Sequence, residues 1–117
     1  MNIEEIREYC LAKKGVEESF PFDNETLVFK AGGKIFLLAG IESKPLRFNV
    51  KCNPDKAIEL REKYAYVVPG FHMNKTHWNT IICGPTANRK LVFQCIDDSY
   101  DLIIKSLPAR LRKGLGL

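Results

Sequence analysis

The segment from Pro69 to Trp78 holds the groups best suited to chemistry or recognition. They are two imidazoles, an amine, a carboxamide and the only indole of the chain, carried by His72, His77, Lys75, Asn74 and Trp78. Imidazoles can move protons or bind metals, and an amine can hold a phosphate or a carboxylate. The Pro69-Gly70 pair predicts a turn. Several polar groups beside a turn favour a recognition surface.

The spacing of these groups argues against a metal centre or a catalytic site. His72 and His77 are five positions apart, which places them about 140° apart on a helix and on opposite faces of a strand. Neither arrangement suits two ligands of one metal ion. No serine has the glycine flanks of a nucleophile elbow, and no phosphate-binding glycine motif occurs. We therefore expect no metal, no cofactor and no enzymatic activity.

Simple structural explanations exist for three of these residues. A tryptophan at the start of a strand usually packs into the core, and a histidine is often a hydrogen-bonded structural residue. By these rules Trp78 belongs to the core, His72 is structural and Lys75 is a loop lysine. If Lys75 is instead held in a fixed position, its ammonium can anchor a phosphate. It would then extend a basic track formed by Lys34, Arg47, Lys51 and the turn Arg110–Lys113.

The net charge of +4 is unevenly distributed along the chain. Acids dominate the first 26 residues, whereas the segment from Lys105 onward contains bases and no acid. Such polarity favours a basic face for a polyanion, although an ordinary solvated surface would look the same. A third hypothesis is weak metal binding by the carboxylates of the acidic N-terminal part, Glu4, Glu5, Glu8, Glu17 and Glu18.

Four scattered cysteines, none in C-x-x-C spacing, predict buried reduced thiols. No apolar run reaches the ~20 residues of a membrane helix, and the acidic N-terminus does not resemble a signal peptide. We expect a cytoplasmic protein without membrane contact, folded as one domain over residues 1–117. A monomer is the favoured state.

Periodicity and capping residues predict the helices. Asn2 begins a helix over residues 3–14 with Gly15 as its C-cap, and Asn53-Pro54 begins a second that runs to about Lys63. Apolar residues at helical spacing over residues 91–107 predict a third helix, which is followed by a basic turn to about Gly114.

Alternating and β-branched runs predict the strands. Residues 26–30 and 35–39 form a hairpin around a glycine pair, with Lys30 and Lys34 at its tip. In the strand 46–51, polar residues alternate with apolar ones and share one face. Further strands are predicted at 66–68 and 78–83. Strands in the middle with helices at the ends predict an α+β two-layer sandwich, a central antiparallel sheet with helices on one face.

Several stretches resemble the MmcQ/YjbR-like bacterial proteins. PGFHMNKTHW at residues 69–78 is similar to the pattern P-G-[YF]-H-M-N-K-x-H-W. VFKAGGKIF at 28–36 resembles V-F-K-x-x-G-K-x-F, and KCNPDKAIELR at 51–61 resembles K-C-x-P-x-x-A-x-x-L-R. The pairs at 99–100 and 107–108 match the family's S-Y and L-P. Phe71 replaces the commoner tyrosine.

The resemblance implies a CyaY-like sandwich and a double-wing mode of DNA binding in which hairpins act as wings. We accordingly expect phosphate contacts, with Asn74 or Asn79 at base edges. The nucleic-acid-binding residues expected are Lys30, Lys34, His72, Asn74, Lys75, Arg110, Arg112 and Lys113. The residues expected to shape the segment are Pro69, Gly70, His77 and Trp78. The main alternative is a small-molecule or protein-partner module that uses residues 71–78.

Overall fold

The computed structural model describes all residues from Met1 to Leu117. The chain forms four helices and six strands. The helices are α1 (Ile3–Leu11), α2 (Pro54–Lys63), α3 (Arg89–Ser106) and α4 (Ala109–Gly114). The strands are β1 (Val16–Ser19), β2 (Thr26–Ala31), β3 (Lys34–Gly40), β4 (Leu46–Lys51), β5 (Val67–Pro69) and β6 (Trp78–Cys83). None of the helices combines the length and the apolar character needed to cross a bilayer.

The six strands form one antiparallel sheet in the order β1-β2-β3-β4-β6-β5. The helices pack on one side of it, with α3 over the central strands and α1 and α2 towards opposite edges. This confirms the predicted α+β sandwich. We call the side under the helices the helix face and the other side the open face.

The core lies between the sheet and the helices. Inward-pointing residues of neighbouring strands, such as Phe29, Phe48 and Ile81, meet the apolar stripe of α3, and all are essentially buried. Because side chains alternate across a strand, the intervening residues lie on the open face. They include Glu17 of β1, Val28 and Lys30 of β2, Leu38 of β3, Arg47, Asn49 and Lys51 of β4, Val68 of β5, and Trp78, Thr80 and Ile82 of β6.

The β2–β3 hairpin forms as predicted. Gly32 and Gly33 have φ angles of 57° and 82°, the left-handed values that a two-residue turn between twisted strands requires. A side chain at Gly32 would also collide with Leu107, since an added Cβ would lie 2.6 Å from its Cδ1. The turn is therefore packed against the residue that follows α3.

A bulge in this hairpin explains one of the family-like motifs. The pairing shifts between Phe29 and Lys30, so that Phe36 is an extra residue of β3. Buried Ser99 of α3 donates to the Phe36 carbonyl at 2.6 Å and accepts from the Lys51 amide at 2.8 Å. Its hydroxyl supplies the hydrogen bonds that the interrupted ladder cannot make.

Two predictions about the N-terminal region were wrong. The helix ends at Leu11 because the chain turns before Gly15, which has a φ of 72° at the entry to β1. The strand β1 was missed, since its Val16-Glu17-Glu18-Ser19 sequence has little apolar signal. It is an edge strand, whose position depends on pairing with β2 rather than on its own sequence.

Candidate functional site

The predicted recognition segment forms a loop that folds onto the open face. Residues 70–77 connect β5 to β6, and we call them the signature loop. The Phe71 amide donates to Thr80 Oγ1 at 2.9 Å, and Asn49 Nδ2 donates to the Phe71 carbonyl at 3.0 Å. Thr80 in turn donates to Asn49 Oδ1. The loop is thus attached to β4 and β6 rather than projecting from the sheet.

Hydrogen bonds within the signature loop fix its shape. Gly70 donates to the Trp78 carbonyl at 2.9 Å, and its own carbonyl accepts from the ammonium of Lys75 at 3.1 Å. The Asn74 side chain accepts from the amides of Thr76 and His77. Asn74 is therefore engaged in holding the loop, and the Lys75 ammonium already has a partner.

The helix α2 braces the loop from the other side. The Arg61 guanidinium donates to the Lys75 carbonyl at 3.2 Å and to the Ala57 carbonyl at 3.2 Å. The Cys52 amide donates to the His77 carbonyl at 2.7 Å. Arg61 and Cys52 of the family-like motif thus help to position the signature loop.

The braced loop presents aromatic rings to solvent. Phe71 is 66% exposed, and its ring centre lies 4.0 Å from that of the exposed His72. His72 has a φ of 59°, which is costly for a residue with a Cβ. The prediction that His72 is a hydrogen-bonded structural histidine was wrong, because the imidazole makes no hydrogen bond and faces water. His77 is also exposed.

Trp78 and Asn79 lie on the opposite sides from those expected. Trp78 pairs with Lys51 on the open face and is only partly buried, so the prediction of core packing was wrong. Asn79 is 1% exposed on the helix face, where its Nδ2 donates to the Ala57 carbonyl. It cannot reach a base edge. The strand has the predicted bounds, but its register on β4 turns Asn79 rather than Trp78 towards the helices.

The basic C-terminal segment packs near the end of the β2–β3 hairpin. Lys34 donates to Ser106 Oγ at 3.2 Å, and Lys14 donates to the Gly116 carbonyl at 3.3 Å. Leu115 packs so closely on Gly15 that a Cβ there would lie 2.8 Å from it. These contacts hold the C-terminal segment against the hairpin and against the connection between α1 and β1. We call the resulting cluster, Lys14, Lys34, Arg110, Arg112 and Lys113, the basic corner.

The expected basic track is therefore divided. Lys34 points towards α3, whereas Lys30 lies on the open face directly opposite Glu17 of β1. Arg47 and Lys51 also lie on the open face. The charged residues form two surfaces, the basic corner and the open-face surface beside the signature loop.

The acidic residues do not assemble into a metal site. Glu5 pairs with Arg89, and Glu18 pairs with Arg7 through two hydrogen bonds. Glu17 lies on the other side of the sheet from Glu18. No group of three or more histidine, cysteine or acidic side chains is arranged to hold a metal ion.

The cysteines are all free and buried, as predicted. Burial raises the pKa of Cys10 and Cys95 to about 12 and that of Cys83 to about 11, and it also raises the pKa of Cys52. Such thiols are protonated at neutral pH and are weak nucleophiles.

A cavity of about 190 Å³ lies between α2 and α3, lined by residues of both charges and by no residue of the signature loop.

Comparison with known proteins places this arrangement in a family. A family model described as YjbR matches residues 11–102, which include the whole signature loop. The chain belongs to the YjbR family. The predicted family resemblance is confirmed, and the matched region ends before the C-terminal part of the basic corner.

Relatives of this YjbR-family protein cover most of its length. It is 38% identical to the protein YbdF of Escherichia coli O157:H7 over 84% of the chain and 80% of that protein. It is 31% identical to YjbR of Escherichia coli K12 over 98% of both chains. Among solved structures, a Deinococcus radiodurans protein with a DUF419 domain has a TM-score of 0.94 at 35% identity, covering 99% of this chain and 88% of that one.

A Pseudomonas syringae protein of known structure is more distant. Its TM-score is 0.75 at 25% identity, over 88% of this chain and 99% of that one. The overall fold of this chain is thus similar to that of both solved structures.

Proposed function

We propose that this YjbR-family protein binds DNA without catalysing a reaction, and that the basic corner contacts the phosphates. The single observation that carries the proposal is the packing of the C-terminal segment on the β2–β3 hairpin. It brings together cations from three separate parts of the chain. Phosphate contacts of this kind position a protein on DNA without reading its sequence.

The absence of opposing charge supports a polyanion as the partner. No Asp or Glu stands between Glu25 and Glu42, and none follows Asp101. The hairpin tip and the C-terminal segment therefore contribute positive charge only. Arg110 and Lys113 are exposed and form none of the chain's salt bridges. Cations without internal partners are available to a phosphate backbone.

The mode of binding is expected to depend on backbone shape. α4 has only six residues, so the basic corner offers no long helix to a major groove. Its exposed polar groups are cations, which contact phosphates. Of the two amides expected at base edges, Asn79 is buried, and the side-chain oxygen of Asn74 accepts hydrogen bonds within the loop. The hairpin β2–β3 would lie along the backbone as a wing.

The test is fluorescence anisotropy of a labelled mixed-sequence duplex, repeated over a range of salt concentrations. We expect saturable binding whose log affinity falls linearly with log salt. The variant Arg110→Ala/Lys113→Ala should reduce the slope by about 1.8, because each lost phosphate contact contributes about 0.9. Both residues are exposed, so the variant should fold normally.

The matched control is Lys44→Ala/Lys90→Ala. It removes the same charge from two exposed lysines, one in the loop after β3 and one in the first turn of α3. Lys90 is roughly 24 Å along α3 from its C-terminal end. The control should leave the slope unchanged. Equal effects of the two variants would reject the basic corner, and no binding at low salt would reject DNA binding.

A further inference from the structure

We propose that the open-face surface beside the signature loop binds unpaired bases of single-stranded nucleic acid. Its residues, which we call the open-face site, are Arg47, Lys51, Phe71, His72 and Trp78. The inference rests on the proposed function in that the ligand is again a nucleic acid, but the surface and the contacted chemical group are different. Here the bases are held by aromatic rings, with cations beside them.

The sheet register assembles the site. Arg47, Asn49 and Lys51 alternate along the open face of β4, so Arg47 and Lys51 are about 13 Å apart along the strand. Asn49 lies midway between them and donates to the Phe71 carbonyl. Trp78 stands directly opposite Lys51 on β6. The backbone of the aromatic loop is therefore fixed between two cations.

The rings are exposed although the backbone beneath them is fixed. Phe71 is held through both its amide and its carbonyl, yet its side chain is 66% exposed. His72 beside it keeps a left-handed backbone conformation that disfavours any residue except glycine. The fold thus maintains an apolar ring in water on a fixed support. A preorganised ring loses little conformational entropy when a ligand stacks on it.

The charge around the rings favours an anionic ligand. No Asp or Glu stands between Glu42 and Asp55, or between Glu62 and Asp97. These two stretches supply β4, the signature loop, β5 and β6. The acid on the open face is Glu17 of β1, at the far edge of the sheet and opposite Lys30. The open-face site is therefore surrounded by cations and neutral polar groups.

A single strand fits this chemistry better than a duplex does. Proteins that bind single strands combine a positive surface with aromatic rings on which successive bases stack, and sheet faces are a common support. A duplex hides the faces of its bases, so the rings would have nothing to stack on. An apolar protein partner would need a continuous apolar patch, whereas Arg47, Asn49 and Lys51 are interspersed here.

The test compares a short labelled oligothymidylate with an abasic strand of the same length by fluorescence anisotropy. Both carry the same phosphates, so a difference measures the bases. We expect tighter binding of oligothymidylate and a change in the emission of Trp78, the only tryptophan. Phe71→Ala should weaken oligothymidylate binding by about 5-fold to 100-fold and leave abasic binding unchanged. Phe71→Tyr, which keeps the ring, should retain the affinity.

Phe22→Ala is the matched control, because Phe22 is 65% exposed in the loop between β1 and β2. Equal binding of the two strands, or equal losses from the two alanine variants, would overturn the proposal. Loss of single-strand binding with intact duplex binding that responds to Arg110→Ala/Lys113→Ala rejects this inference alone. Binding of oligothymidylate that depends on Phe71, without duplex binding that responds to Arg110→Ala/Lys113→Ala, rejects the proposed function of the basic corner and supports the open-face site.

Discussion

Replacement of Gly70 by alanine should destabilise the protein through a single steric contact. A Cβ at Gly70 would lie 2.8 Å from both the Cβ and the carbonyl oxygen of Trp78. The atoms would have to separate by roughly 0.6 Å to reach an ordinary contact of 3.4 Å. The Trp78 carbonyl cannot retreat freely because it accepts the Gly70 amide at 2.9 Å.

The expected cost follows from these contacts. Overpacking of a fixed site costs about 1–3 kcal/mol, and weakening the attached hydrogen bond adds up to about 1 kcal/mol. We therefore expect Gly70→Ala to lower the free energy of unfolding by about 2–3 kcal/mol. This corresponds to a change of roughly 30-fold or more in the unfolding equilibrium.

Urea unfolding followed by the emission of Trp78 and by far-ultraviolet circular dichroism measures this change. The emission reports the loop and the dichroism reports the whole fold. Gly114→Ala is the control, since an added Cβ there meets nothing within 4 Å. Gly114→Ala should leave the free energy of unfolding unchanged or raise it by up to about 1 kcal/mol. A loss below about 0.5 kcal/mol for Gly70→Ala would refute the steric argument.

Three further predictions concern the core. Ser99→Ala should lower the free energy of unfolding in urea by about 2 kcal/mol or more, because the Lys51 amide and the Phe36 carbonyl lose their buried partner. Ser19→Ala, at an exposed serine whose hydroxyl makes no hydrogen bond, should change it by less than about 0.5 kcal/mol, and similar losses would contradict this. The free energy of unfolding, measured from pH 8 to 12, should fall above about pH 9, and a flat profile would contradict this. Burial raises the folded-state pKa of Tyr9 to about 12 and raises those of the thiols, so the unfolded chain loses these protons at a lower pH than the folded protein does. The four thiols should react with a thiol-specific reagent only after urea unfolding, and fast native labelling would show that they are not enclosed.

Local signals in the sequence were sufficient for much of the fold. The Gly32-Gly33 turn and the Asn53-Pro54 helix start were predicted because a left-handed turn and a helix cap depend on neighbouring residues only. β6 was predicted with its observed bounds from a short apolar run. β1 was missed because an edge strand with two glutamates has no such signal, and β2 supplies its hydrogen bonds.

The candidate surfaces were predicted less well than the fold. The signature loop was identified from its residue types, and Phe71 and His72 are exposed there. The common face of Arg47, Asn49 and Lys51 was predicted correctly, whereas the side of the sheet on which Trp78 lies was predicted wrongly. Trp78 and Asn79 differ by one position, yet one lies on the open face and the other is buried under the helices. A shift of one residue reverses every side chain of a strand, and the pairing register decides it.

The sequence by itself determined the helices, five of the strands, the reduced thiols and the segment with recognition residues, because each depends on local composition or periodicity. The tertiary structure alone decided which of these residues meet. Lys34 and Arg110 are far apart in the chain and are brought to one corner by the packing of Leu107 on Gly32. Arg47 and Phe71 share a surface because Asn49 and Thr80 attach the signature loop to the sheet. Contacts between distant segments form through burial and hydrogen bonding of the whole fold, which no local pattern encodes.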